Sequence, residues 1–253
     1  MLRLIGIGLN PKQLTIEGLH AIQHSDSVYA ENYTSAYSEG TIETLEGIIH
    51  QKITLLEREE IENKMEELTE KAQNQNIAIL IFGNPLTATT HHSLIIKTKE
   101  KKIPTEIIPG ISIFNYRGFT GLDEYRFGRT TTFVFPQEGY EPLSTFDIIV
   151  QNKKMGLHTH CLLDLHPDKK IFMSIPEAIT WIEHASHARE IPIHDWIGIG
   201  LEGMGNKNQQ IISGELQSLK KKKWGVFPQS LIICGNLTEY EKEAIRKMAG
   251  YPL

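Results

Sequence analysis

Cysteine is scarce in this 253-residue chain: Cys161 and Cys234 are the only two, and both sit in apolar runs. They read as buried thiols of a reducing compartment, not as a disulfide framework, and neither has histidine or cysteine partners at zinc spacing. An excess of positive charge is also missing. The formal net charge of -5 argues against a general nucleic-acid binder, while leaving RNA or a protein open as substrate. No run is long and apolar enough to span a membrane, and the N-terminus lacks a signal-peptide pattern, so a cytoplasmic protein is expected. There is no Gly-x-Ser-x-Gly elbow and no phosphate-binding P-loop, which leaves hydrolase and kinase readings without support. No Pro/Gly-rich linker, internal repeat or low-complexity tract appears apart from Lys220–Lys223, read as a solvated face.

What is present is organised around residues 77–94, IAILIFGNPLTATTHHSL. Ile77–Phe82 is a continuous apolar run of strand length, as in a parallel strand buried on both faces. Gly83-Asn84-Pro85 stops it, and Thr87–Thr90 place hydroxyls where the next helix should be capped. Such a turn merely connects in most proteins, yet it is also where open α/β sheets bind ligands. A strand over Met1–Ile7 runs into Gly6-Ile7-Gly8-Leu9-Asn10, and a strand over Thr105–Ile108 runs into Pro109-Gly110-Ile111-Ser112-Ile113. The first opening imitates a dinucleotide-binding domain but lacks the third glycine, since Pro11 and Gln13 occupy that region. With helices beginning at Thr15 and Thr41, and an amphipathic helix carrying Ile61, Met65 and Leu68, the first half alternates strand and helix. That pattern predicts a parallel sheet with three turns facing one crevice.

The second half is richer in strands, at Thr130–Phe135, Gly156–Leu165, Trp196–Leu201, Gln210–Ser213 and Ser230–Cys234, with antiparallel pairing expected. A boundary near residue 113 follows from this change of pattern. Histidines offer little metal chemistry. His91 and His92 are adjacent and do not share a helix face, so one of them is expected to cap or orient the turn. His158, His160 and Asp164 share a strand face, but in so apolar a segment they read as ordinary polar-face residues. His184 and His187 read as surface residues. What remains is a crevice of backbone turns and small hydroxyl residues with few charges. This suits a nucleoside-type cofactor. Methyl transfer from S-adenosylmethionine asks mainly for alignment, because the sulfonium carries the activation.

The sequences LIGIGL at Leu4–Leu9, Glu31-Asn-Tyr-Thr-Ser35, Asn84-Pro-Leu-Thr-Ala-Thr-Thr-His91, Tyr125-Arg-Phe-Gly128 and Gly156-Leu-His-Thr-His-Cys-Leu-Leu-Asp164 together resemble the diphthine synthases of archaeal type, within the tetrapyrrole-methylase-like class. The resemblance runs over nearly the whole chain. It implies two α/β domains, 1–113 with a mostly parallel sheet and 114–253 with a mixed sheet, and a cofactor cleft between them. It implies a homodimer that methylates, stepwise, the amino group on a modified histidine of translation elongation factor 2, an intermediate of diphthamide. S-adenosyl-L-methionine would be the cofactor and S-adenosyl-L-homocysteine its product, with no metal. The family's cofactor positions carry over to Leu9, Asn84, Thr87, Ser112, Ile113, Leu163, Met204 and Gln229. Asn84 stands where the family usually has Asp, losing a negative charge near a cationic cofactor, and Gln229 stands where it usually has His. The target amine must be unprotonated to attack, and no general base is identified. Glu31, Tyr33 and Thr34 are candidate substrate contacts. The rival functions are a related methyltransferase acting on a tetrapyrrole or ribosomal RNA, a cofactor-binding protein without turnover, and a nicotinamide oxidoreductase.

Overall fold

The computed structural model describes residues 1–31, 35–56, 61–89, 91–136 and 143–250. They form two compact units. The first comprises Met1–Ile113, His166–Lys169 and Gly205–Lys207; the second comprises Phe114–Leu165, Lys170–Met204 and the chain from Asn208 onward.

In the first unit the strands are β1 (Leu2–Gly6), β2 (Ser27–Glu31), β3 (Thr54–Leu56), β4 (Ile77–Ile81) and β5 (Thr105–Ile108). They make one sheet of order β3-β2-β4-β1-β5 in which every pairing is parallel. The apolar run of β4 explains its central place, since all five residues are buried. Its side chains alternate between two cores. Ala78, Leu80 and Phe82 join Ile22, Leu45 and Ile49, from the α1 (Ile16–Gln23) and α2 (Ile42–Ile49) side of the sheet. Ile77, Ile79 and Ile81 join Leu68 and Leu94, from the α3 (Ile61–Lys71) and α4 (His92–Glu100) side. Helix starts follow the sequence signals at α1, where the Thr15 hydroxyl accepts from the Gly18 amide, and at α2, where Thr41 and Thr44 cap reciprocally. The capping expected from Thr87–Thr90 does not occur among the described residues: α4 begins at His92, after His91, without a side-chain cap.

In the second unit the strands are β6 (Thr131–Phe133), β7 (Thr159–Leu163), β8 (Ile197–Glu202), β9 (Gln210–Glu215) and β10 (Gln229–Ile233). Their order is β9-β8-β10-β7-β6; only β6 and β7 run parallel. Helices α5 (Leu143–Lys154), α6 (Ile175–Arg189) and α7 (Leu216–Lys221) contribute Phe146, Ile149, Ile179, Ile182, Leu216 and Leu219 to its core. Pro176 and a Ser174–Glu177 capping box start α6, and a Thr238–Glu241 box starts α8 (Glu239–Met248). The α/β class expected from the strand and helix alternation is the class observed.

Candidate functional site

The first unit brings its three strand-end turns into backbone contact. Gly8 and Gly83 form an antiparallel bridge, with the Gly83 amide donating to the Gly8 carbonyl at 2.9 Å. Gly6 and Gly110 approach so closely that a Cβ on Gly6 would lie 2.5 Å from the Gly110 nitrogen and 2.6 Å from the Gly83 oxygen. Only glycine admits such a crossing. The Asn84 side chain ties the turns together. Its Nδ2 donates weakly to the Gly110 carbonyl at 3.4 Å, and its Oδ1 accepts from the Leu86 amide at 3.1 Å. An ionised aspartate at this position could not make the first of these bonds. Thr87 donates its amide to the Asn84 carbonyl, and Ser112 is buried 3.6 Å from where a Gly83 Cβ would stand. Leu9 is half-buried, its amide donating to Gln13 Oε1 and its carbonyl accepting from Ser38. Ile113 follows directly as the last residue of this unit's main segment. Five of the eight expected cofactor positions therefore belong to the first unit, all of them on the turns that touch.

The other three gather in the second unit through strand register. Gln229 at the start of β10 is paired with Glu202 at the end of β8 and neighbours the Ser230–Leu162 pair, so Leu163 at the end of β7 lies on the same sheet edge. Met204 follows two residues after Glu202 and is buried. The Gln229 amide is already engaged. Its Oε1 accepts from the Ile175 amide at 2.9 Å, at the start of α6, and its Nε2 donates to the Val226 carbonyl at 3.2 Å. Glu202 is 1% exposed and accepts from the Gly225 and Val226 amides, a buried carboxylate held by a loop rather than by a cation. No local pattern in the sequence marks it, because its partners are backbone groups more than twenty positions away.

Glu31 is corrected by the structure. It is wholly buried, and its carboxylate accepts from His91 Nε2 at 3.0 Å, so it is not available to touch a substrate. Tyr33 and Thr34 lie outside the described residues. His91, by contrast, orients the Gly83–Thr89 turn: its Nδ1 lies 3.1 Å from the Pro85 carbonyl and contacts the Thr89 hydroxyl.

His158 and His160 are not polar-face residues; both are fully buried. His158 Nδ1 accepts from the Gly235 amide while its Nε2 donates to Glu241 at 2.8 Å, and burial lowers its pKa. Burial works to raise the Glu241 carboxyl, but the Thr238 amide, His158 and the Asp123 amide hold it down at about 2. His160 Nδ1 accepts from Arg117 at 3.1 Å and its Nε2 donates to Ser230. Burial, and after it the Arg117 guanidinium, push His160 down to about 3. Arg117 lies over the rings of Phe114 and Phe127. Asp164 accepts from the Phe135 and Leu165 amides. Among the described residues no three His, Cys, Asp or Glu side chains converge as a metal site. Both cysteines are free and buried, and burial pushes the Cys234 thiol up to about 12.

Neutral amides, hydroxyls and apolar side chains make up the first strand-end cluster, and the second adds to them the Glu202 carboxylate, a set that fits a nucleoside better than a phosphate or a metal. Residues 1–219 match the family of Tetrapyrrole (Corrin/Porphyrin) Methylases. The chain is 35% identical to the diphthine methyl ester synthase of Dictyostelium discoideum, with 96% of each covered. It is 33% identical to the diphthine synthase of Methanococcus aeolicus, with 97% of each covered. Among solved structures it is similar to a crystal structure of diphthine synthase, with a TM-score of 0.88 and 29% identity, over 99% of this chain and 96% of that one.

Proposed function

Because the chain belongs to the tetrapyrrole (corrin/porphyrin) methylases and, within them, to the diphthine synthases, we propose that it methylates the modified histidine of translation elongation factor 2 in diphthamide biosynthesis. S-adenosylmethionine supplies an activated methyl group and leaves as S-adenosylhomocysteine. The observation that carries the reading is the crossing of three glycine turns at the carboxyl ends of β1, β4 and β5, where open α/β sheets bind ligands. Leu9, Asn84, Thr87, Ser112 and Ile113 hold the cofactor from the first domain, 1–113. Leu163, Met204 and Gln229 hold it from the second, 114–253. Gln229 serves through its backbone, its side chain being spent on Ile175 and Val226. The protein works as a cytoplasmic homodimer; its two free, buried thiols fit a reducing compartment, and among the described residues no helix is long and apolar enough to cross a membrane.

Few charges line these turns, so the accepting amine would be desolvated there and favoured in its neutral, nucleophilic form. The Dictyostelium relative is named for a methyl ester, which favours a second product: transfer to a carboxylate oxygen as well as to nitrogen. Transfer of labelled methyl groups to elongation factor 2 carrying the unmethylated aminocarboxypropyl-histidine tests both readings. Label that survives mild alkali is on nitrogen, and label released by it is on an ester. Cofactor binding without label on the factor would overturn the substrate assignment. Thr87→Trp should fill the turn and abolish cofactor binding by calorimetry; unchanged binding would remove Thr87 from the site.

A further inference from the structure

The turn that carries Asn84 and Thr87 is held in an unfavourable shape. Ala88, within it, sits at φ 54, in the left-handed region that a side chain rarely adopts. Something must hold the turn there, and the Asn84 bonds secure only its beginning. His91 secures the rest. With its proton on Nε2, its Nδ1 accepts from the Thr89 hydroxyl and lies 3.1 Å from the Pro85 carbonyl, six residues back. Its Nε2 donates to Glu31 at the end of β2, 60 positions away, at 3.0 Å. Pro85, His91 and Glu31 are all buried. The ring is thus a cross-link with two ends, one fixed to the sheet and one fixed to the turn.

We propose that Glu31 and His91 are positioning residues for the methyl transfer: the buried pair locks the Gly83–Thr89 turn in its cofactor-binding shape before the cofactor arrives. This rests on the reading of that turn as part of the cofactor site. A turn ordered in advance spares the cofactor the cost of ordering it, so loss of the lock lowers affinity without removing any cofactor contact.

The two ends of the ring are separable by substitution. His91→Gln keeps a donor at the Nε2 position for Glu31 and gives up the acceptor that meets the Thr89 hydroxyl. His91→Asn keeps a polar group at the Nδ1 position and gives up the buried bond to the Glu31 carboxylate. A lock acting through the turn predicts crossed rankings. His91→Gln melts near the wild-type temperature but binds S-adenosylmethionine about tenfold more weakly by calorimetry, as for loss of a strong buried hydrogen bond. His91→Asn melts lower but retains near-wild-type affinity in its folded fraction. An unchanged dissociation constant for folded His91→Gln, or affinities that simply follow the melting temperatures, overturns the inference. If His91→Asn does not fold, the His91→Gln affinity decides alone. Failure of the wild-type protein to bind S-adenosylmethionine overturns the underlying cofactor reading and this inference with it, whereas equal binding by wild type and His91→Gln overturns this inference only.

Discussion

Replacing Gly6 by Ala is the sharpest perturbation the strand-end crossing offers. The new Cβ would lie 2.5 Å from the Gly110 nitrogen, 2.6 Å from the Gly83 oxygen and 2.7 Å from the Gly110 Cα. Ordinary contacts between such atoms are about 3.5 Å, so the turns must separate by nearly an ångström. All three neighbours are backbone, and none can rotate away as a flexible side chain would. Adding one methyl to a well-packed interior costs typically about 1–3 kcal/mol, and the rigidity of these neighbours places Gly6→Ala at the upper end, about 3 kcal/mol. For a chain of this size that is a fall of roughly 6–12 °C in melting temperature. Gly47 is the control. It lies in α2 with nothing within 4 Å of its would-be Cβ, so Gly47→Ala should raise stability by about 0.5–1 kcal/mol through helix propensity alone. Thermal melts followed by circular dichroism, with calorimetric titration of S-adenosylmethionine, read out both variants. If Gly6→Ala melts with the wild type and binds as well, the crossing does not organise the site and the reasoning fails.

Three further outcomes are expected. Asn84→Asp should raise the affinity for S-adenosylmethionine relative to that for the neutral product by up to about fivefold, the worth of a partly exposed ion pair, since loss of the Gly110 bond bears on both ligands alike; equal changes for both ligands would mean that residue 84 does not face the sulfonium. Gln229→Ala leaves the Ile175 amide and the Val226 carbonyl unpaired and should cost about 2–4 kcal/mol in denaturant unfolding, and a loss of cofactor affinity without loss of stability would contradict the structural role of the side chain. His160 is neutral in the fold, with its pKa lowered to about 3, while the unfolded chain takes up a proton below about 6.5. Stability should therefore fall as pH drops from about 6.5 to 3, by about 1 kcal/mol per unit from this ring, and His160→Gln should flatten the slope; an identical pH dependence in the variant would refute the assignment.

What the sequence made legible is what short-range chemistry controls. Ile77–Phe82 declares a buried strand because every residue in it is apolar, and Thr15 and Thr41 announce helix starts because their hydroxyls serve amides three residues on. What stayed hidden depends on partners far along the chain. His158 and His160 read as polar-face residues until Glu241, 83 positions away, and Arg117, 43 positions away, come to meet them. The Glu31–His91 link spans 60 positions, and nothing near Glu31 in sequence reveals that its carboxylate is taken. The threonines after Pro85 look like caps, but Thr89 turns to the His91 ring and α4 starts after His91 with no side-chain cap. Gln229 meets Glu202 only through antiparallel register, which no local pattern encodes.

The measurement closest to the central claim is the intact mass of elongation factor 2 bearing the unmethylated aminocarboxypropyl-histidine, after incubation with this protein and S-adenosylmethionine. Mass gains of whole methyl groups, confined to that histidine, are expected. No gain, from a protein that binds the cofactor in a separate titration, would contradict the assigned substrate.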